Sequence, residues 1–308
     1  MRYLDIDGAK VSVMGLGTWQ FGSKEWGYGA DFAEREAPAI VKRALDLGIT
    51  LIDTAQAYGF GRSEKIVGKA ICGRREGLFV ATKFLPVLPV APMVARQARG
   101  SAARLGVEEI DLYQAHWPNP AFPTGMVMRA LRPLQDAGLV RHIGVSNFSL
   151  KRWRKAERVL GRPVLTNQVR YNLVARDPEN DLIPYAEQAG RLIIAYSPLG
   201  KGLLSGGYNR DKRPSDMVRK ASPMFRPEAL DRVVPLVETL RDVARAHDAT
   251  SAQVALAWVV RKPCVIAIPG ASSVAQLEAN AAAADLDLSE AEVTALNETS
   301  AAVVAAGH

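Results

Sequence analysis

The chain has 308 residues, 48% hydrophobic and 23% charged, with 39 Lys and Arg against 32 Asp and Glu for a formal net charge of +7. This balance predicts a packed core and excludes a disordered chain, and no run approaches the roughly 18–20 uninterrupted apolar residues of a membrane-spanning helix. The opening MRYLDIDGAK lacks the basic and apolar regions of a secretion signal, and Cys72 and Cys264 are too few for a disulfide scaffold or a zinc site. The expectation is therefore a cytoplasmic protein with no metal, no membrane partner and two small buried cysteines.

In chain order, short apolar runs of strand length fall at 13–16, 50–53, 78–82, 111–114, 143–145, 166–169, 192–196 and 265–268. Segments of helical period lie between them at 37–47, 63–72, 92–105, 124–137, 149–160 and 178–188. Helices at 229–246 and 251–261 precede the last strand, and two more follow near 273–283 and 290–302. Length and composition alone leave two modest domains open, but this alternation predicts an α/β chain, one (β/α)8 TIM barrel domain spanning 1–308.

The punctuation agrees with that reading. Ser149 stands at a helix start, Ser63-Glu64 and Ser289-Glu290 place an acid in a first turn, and Gly48, Gly138 and Gly161 follow helical runs. The one long irregular stretch is 200–227, rich in Gly, Pro, Lys and Arg, a length usually functional or disordered. The basic excess raises a nucleic-acid partner, but the densest basic run, Lys-Arg-Trp-Arg-Lys at 151–155, continues into Ala156, Val159 and Leu160 on an inner face. It reads as a solvated outer helix, so no nucleic acid is expected.

Polar residues cluster just after strand runs: Asp53, Lys83 and His116. In such a barrel these positions share the C-terminal mouth, and Tyr58, in a short loop beyond Asp53, reaches the same place. Singly, each has a blander reading as a turn former, a surface ring or a solvated ammonium. Together they suit carbonyl reduction, because hydride delivery to carbon leaves charge on oxygen that an acid must neutralise. Tyr58 is the candidate acid, Lys83 is expected to lower its pKa, Asp53 to pair with Lys83, and His116 to orient the substrate oxygen.

The segments Gly15-Leu16-Gly17-Thr18-Trp19, Ile52-Asp53-Thr54-Ala55-Gln56-Ala57-Tyr58-Gly59, Ala81-Thr82-Lys83, Asp111-Leu112-Tyr113-Gln114-Ala115-His116-Trp117 and Ile143-Gly144-Val145-Ser146-Asn147-Phe148 resemble the aldo-keto reductase superfamily, in its order. Residues 168–172, 196–199 and 268–272 extend the resemblance nearly end to end. It implies a (β/α)8 barrel with a catalytic set on Asp53, Tyr58, Lys83 and His116, and NADPH or NADP extended across the mouth, NAD also being open. By resemblance Gly17, Thr18, Trp19 and Asp53 border the cofactor, Ser146, Asn147 and Gln168 bind its carboxamide, and Tyr196 stacks on the nicotinamide. Ser197, Pro198, Leu199, Gly200, Gly202 and Arg219 are implied at the pyrophosphate, and Gly270, Ser272, Gln276 and Asn280 at the adenosine end.

The chain departs from the pattern in offering no Lys or Arg after the eighth strand for a 2′-phosphate, and in carrying Ala279 where an acid is common. The form Gly-Ala-Ser with a Gln four residues on is closer to bacterial and potassium-channel-β-subunit-like branches. The reading is an enzyme reducing an aldehyde or ketone with NADPH. The alternatives are an NADP(H)-binding redox-sensing or channel-associated subunit with little turnover, disfavoured by the absence of an N-terminal extension, and a barrel hydrolase using Asp53 and His116. Tyr58, His116, Trp19, Trp117 and Phe84, with Phe21, Trp26 and Tyr28 nearby, are expected to border the substrate. Its identity and the oligomeric state stay open.

Overall fold

A computed structural model describes residues 1–22 and 32–305. The chain opens with a hairpin absent from the expected elements: β1 (Tyr3–Ile6) pairs antiparallel with β2 (Ala9–Ser12). Asp7 (φ 49°) and Gly8 (φ 82°) make its turn, both in the left-handed region that a two-residue hairpin loop demands. Ile6 and Val11 pack with Leu51, Phe79, Leu112, Ile194 and Ile266, so the hairpin closes the end of the barrel where the strands begin.

Eight parallel strands follow: β3 (Leu16–Gly17), β4 (Leu51–Asp53), β5 (Phe79–Phe84), β6 (Ile110–Ala115), β7 (Val140–Ser146), β8 (Thr166–Arg170), β9 (Leu192–Tyr196) and β10 (Val265–Ala267). They neighbour one another in sequence order, and first meets last through Gly15 N to Ala267 O (2.8 Å), Ala267 N to Val13 O (3.0 Å) and a Gly17–Gly270 bridge. The ring is thus the expected (β/α)8 barrel. At the seam a side chain on residue 17 would bring its Cβ to 2.6 Å from the Ile268 carbonyl oxygen, so only glycine closes it.

The helices α1 (Ala37–Asp46), α2 (Arg62–Ile71), α3 (Ala91–Leu105), α4 (Thr124–Asp136), α5 (Leu150–Leu160), α6 (Leu182–Ala189), α7 (Met217–Lys220), α8 (Pro227–Ala246), α9 (Ser251–Val259), α10 (Val274–Ala282) and α11 (Glu290–Ala305) complete the chain. The basic helix α5 lies outside the barrel as expected. It buries Trp153, Ala156 and Leu160 and leaves Lys151, Arg152, Arg154 and Lys155 to solvent. The Trp153 indole donates to Val164 O at 2.9 Å, satisfying its one polar atom inside the packing.

Other expectations are corrected. Residues 178–188 divide into a 3-10 turn, Asp177–Glu179, and α6; the stretch 200–227 holds 3-10 turns at Gly200–Ser205 and Pro223–Phe225 besides α7. Cys72 is exposed, at the residue ending α2; only Cys264 is buried. Glu64 does stand in the first turn of α2, as expected, but it is buried. Among the described residues no helix is long and apolar enough to cross a membrane, and no group of His, Cys, Asp and Glu is arranged for a metal ion.

Candidate active site

Strand register brings the expected catalytic set together. Asp53 ends β4 opposite Ala81 of β5, so Lys83, two residues on, projects from the same inner face one step nearer the mouth. Its ammonium donates to Asp53 Oδ1 at 2.5 Å, to the Thr54 carbonyl at 2.8 Å and to the Tyr58 hydroxyl at 3.3 Å. Three protons meet three acceptors, which is what allows a lysine with no solvent exposure to stay charged. Burial alone pushes the Lys83 ammonium down, but Asp53 and Tyr58 hold it above the ordinary lysine value.

Tyr58 corrects one expectation. Burial raises its phenol above the ordinary value, and Lys83 opposes that rise without reversing it. The hydroxyl therefore carries its proton across the neutral range. His116, just past β6, is pushed down to about 3 by burial and then by Lys83, so its imidazole is neutral. The ring stacks on Trp117 (centroids 3.7 Å apart, 5° between planes) and meets Tyr58 edge-on at 5.8 Å.

Behind these groups a buried polar network holds the loop that carries Tyr58. Ser63 Oγ donates to Thr18 O (2.9 Å) and lies 2.8 Å from Thr18 Oγ1, while Thr54 Oγ1 donates back to Ser63 Oγ (3.0 Å). Glu64 accepts from Thr82 Oγ1 (2.7 Å) and from Arg104 Nε (2.6 Å), tying α2 to the residue before Lys83. The sequence shows Glu64 only as a first-turn acid; its contacts with Thr82 and Arg104 on two other elements leave no local signature.

The mouth opens into a cleft of about 830 Å³. Its walls include Asp53, Tyr58, His116, Trp117, Gly17, Thr18, Trp19, Ser146, Asn147, Gln168, Tyr196, Ser197, Pro198, Leu199, Gly202, Arg219, Gly270, Ser272, Gln276 and Asn280, as expected. Lys83 is sealed behind Tyr58, and Gly200 is buried without lining the cleft. Phe84 is misplaced by the sequence reading: it follows inward-facing Lys83, so it points outward, fully buried and stacked on Tyr113 at 5.0 Å. Phe21 is likewise buried, against Phe32, and Trp26 and Tyr28 lie outside the described residues. Lys201, Tyr208 and Gln20 line the cleft without having been singled out for it; Gln20 Nε2 donates to Ala271 O at 2.8 Å, across the seam.

Along the cleft, Tyr196 OH donates to Asn147 Oδ1 (3.0 Å), Asn147 Nδ2 to Ser146 Oγ (3.0 Å) and Ser146 Oγ to Gln168 O (2.9 Å). Arg219 donates from Nε to Lys201 O (2.8 Å) and pairs through Nη1 with Asp216 (2.7 Å). At the far end Ser272 N and Oγ both donate to Gln276 Oε1, and Ser273 caps α10 by accepting from Gln276 N. One end of the cleft can thus exchange a proton, and the rest offers glycine-lined backbone and polar side chains to a long ligand.

Comparison with known proteins places this geometry. The sequence profile described as "Aldo/keto reductase family" matches residues 13–301. An uncharacterized oxidoreductase of Mycobacterium tuberculosis is 51% identical over 303 residues, covering 98% of this chain and 94% of that protein. Among solved structures, a glycerol dehydrogenase from Gluconobacter oxydans superposes with a TM-score of 0.87 at 32% identity, covering 97% of this chain and 94% of that one. An aldo/keto reductase from Klebsiella pneumoniae in complex with NADP and acetate gives a TM-score of 0.76 at 31% identity, over 96% and 94%.

Proposed function

The chain belongs to the aldo/keto reductase family of oxidoreductases, and from there we propose that it reduces aldehydes or ketones to alcohols with NADPH, Tyr58 giving the proton. The observation that carries this reading is the sealed Lys83, hydrogen-bonded at once to Asp53 and to the Tyr58 hydroxyl. A buried ammonium so placed is poorly explained by packing, since exchanging a buried ion pair for apolar residues is often neutral or stabilising.

The residues present fit a nicotinamide dinucleotide. Gln168 gives Nε2 to Asp53 and retains Oε1 as an acceptor for a carboxamide, with Asn147 and Ser146 beside it. Tyr196 supplies a ring face, and the 197–202 turn, with Ser197 at φ 49° and Gly202 at φ 93°, supplies backbone for phosphates. Ser272, Gln276 and Asn280 line the far end. The NADP complex of the Klebsiella relative favours NADP(H) over NAD(H). When bound, the dinucleotide supplies the hydride; the chain's residues do the rest.

His116, being neutral, donates an N–H to the carbonyl oxygen without competing for the proton in transit. Tyr58 releases its hydroxyl proton to that oxygen as negative charge develops there. The phenolate left behind faces the Lys83 ammonium, which Asp53 keeps protonated. Trp19 and Trp117, both partly exposed, wall the mouth and limit water around the reacting carbon.

The test is NADPH consumption by the purified protein over a panel of aldehydes and ketones, alongside a direct NADPH titration. Carbonyl-dependent oxidation is expected. Tight NADPH binding with no turnover on any carbonyl would overturn the catalytic reading.

A further inference from the structure

The inner face of β8 carries a charge that nothing above employs. Thr166 donates to Gln114 and Gln168 to Asp53, both inside the barrel, whereas Asn167 turns outward to Phe148 O and Val169 joins the outer core. By that alternation Arg170 is the next inward residue. It ends the strand at the mouth, in register with Tyr196 of β9. Arg170 is exposed, and among the described residues no hydrogen bond or ion pair engages its guanidinium.

Arg170 is not an isolated surface charge. It acts electrostatically on Tyr196 and on Lys201, both of which line the cleft. The Lys201 ammonium is held down first by burial and then by Arg170, with Arg219 adding to the effect. Three cations therefore converge where β9 runs into the 197–202 turn. The acid acting on Lys201 there, Asp216, is already paired with Arg219. Arg170 and Lys201 have no paired carboxylate among the described residues, and two such like charges create a local potential that an anion relieves.

The position of this potential says which anion. Among the described residues, the cations lining the cleft are Lys201 and Arg219, both on the Tyr196 side, and neither Trp19 nor Trp117 offers charge at the Tyr58–His116 end. The demand for negative charge thus falls on the dinucleotide side and not beside the carbonyl. We propose that Arg170, which ends its strand beside Tyr196 and stands outside the residues that line the cleft, is a binding residue for the diphosphate of the dinucleotide, acting with Lys201. The inference rests on the NADPH reading given above. A guanidinium suits the role because its planar fork meets two phosphate oxygens at once.

The experiment titrates NADPH into wild type, Arg170→Gln and Arg170→Lys, following protein fluorescence, at low and high salt. Thermal unfolding of the free proteins checks that the exposed substitution leaves the fold intact. Arg170→Gln should weaken NADPH at low salt by about tenfold, with a shallower salt dependence, and Arg170→Lys by less, since it keeps the charge and loses the fork. A dissociation constant within about threefold of wild type for Arg170→Gln overturns the proposal. So does an unchanged constant with a raised KM for 4-carboxybenzaldehyde relative to 4-nitrobenzaldehyde, which assigns the charge to substrate. If wild type itself fails to bind NADPH, the cofactor reading fails first and separately.

Discussion

Gln168 Nε2 donates to Asp53 Oδ2 at 2.8 Å, while the other oxygen of the same carboxylate takes the Lys83 ammonium. A hydrogen-bonded chain therefore runs Gln168–Asp53–Lys83–Tyr58, from the proposed carboxamide site to the proposed acid. Gln168→Ala would leave that oxygen only Gln114, at 3.5 Å. We expect a loss of about 1–3 kcal/mol in unfolding free energy, with a higher NADPH dissociation constant and a lower kcat together. Denaturant titration with steady-state kinetics checks it; a change in NADPH binding alone would break the link drawn here.

Tyr58→Phe removes the proposed acid and the weakest of the three acceptors of the Lys83 ammonium, while the ring still packs against Trp19 and His116. Carbonyl reduction should fall by about 100- to 10,000-fold with NADPH affinity nearly unchanged. Turnover equal to wild type removes Tyr58 from the mechanism.

Lys83→Met strands a carboxylate that is 1% exposed, at a cost of about 3–5 kcal/mol. Pairing it with Asp53→Asn removes the charge as well. The double variant should recover most of the lost stability and none of the activity. Chemical denaturation of the single and double variants measures the coupling, and additive losses would contradict the pairing.

His116 gives the fold an acid-sensitive limb. Its folded-state pKa, about 3, lies below the ordinary 6.5, so between those values the unfolded chain binds the extra proton. The stability of the neutral ring is complete above 6.5 and declines as pH falls through that window. His142, lowered by burial despite the nearby carboxylate of Asp7, acts in the same sense. His116→Asn should flatten the fall of Tm with acidification without abolishing it, as scanning calorimetry across the pH series would show.

Ser63→Ala would cut the links among Thr18, Thr54 and the start of α2. We expect about 1–2 kcal/mol of destabilisation and a kcat loss larger than any change in NADPH affinity, because the loop so held carries Tyr58 and not the cleft's far wall. A variant with wild-type kcat would show that the loop holds its place without Ser63.

Much of this was legible in the sequence because the strands of a buried parallel barrel are apolar runs with their chemistry at one end; Asp53, Lys83 and His116 each follow such a run. The hairpin was missed because Tyr3–Ile6 and Ala9–Ser12 are short and mixed in polarity, although Asp7-Gly8 is a hairpin turn signal. Phe84 reads as a substrate residue because it lies near the barrel-mouth loops, but strand alternation sends it to the face opposite Lys83. The direction of the Tyr58 shift could not be read from residue types, since it depends on burial outweighing one ammonium. Glu64 and Arg170 act through neighbours distant in sequence, which no local pattern reports.

The seam where Gly17 meets Gly270 joins the first barrel strand to the segment after the last, and both residues line the cleft. A nascent chain still short of residue 270 lacks one bank of the groove, however well its earlier units have folded. Any ligand laid across that seam bolts the two termini of the ring together and should therefore slow unzipping at the junction more than loosening elsewhere. Protection from proteases on ligand addition would be strongest at the first and last barrel strands.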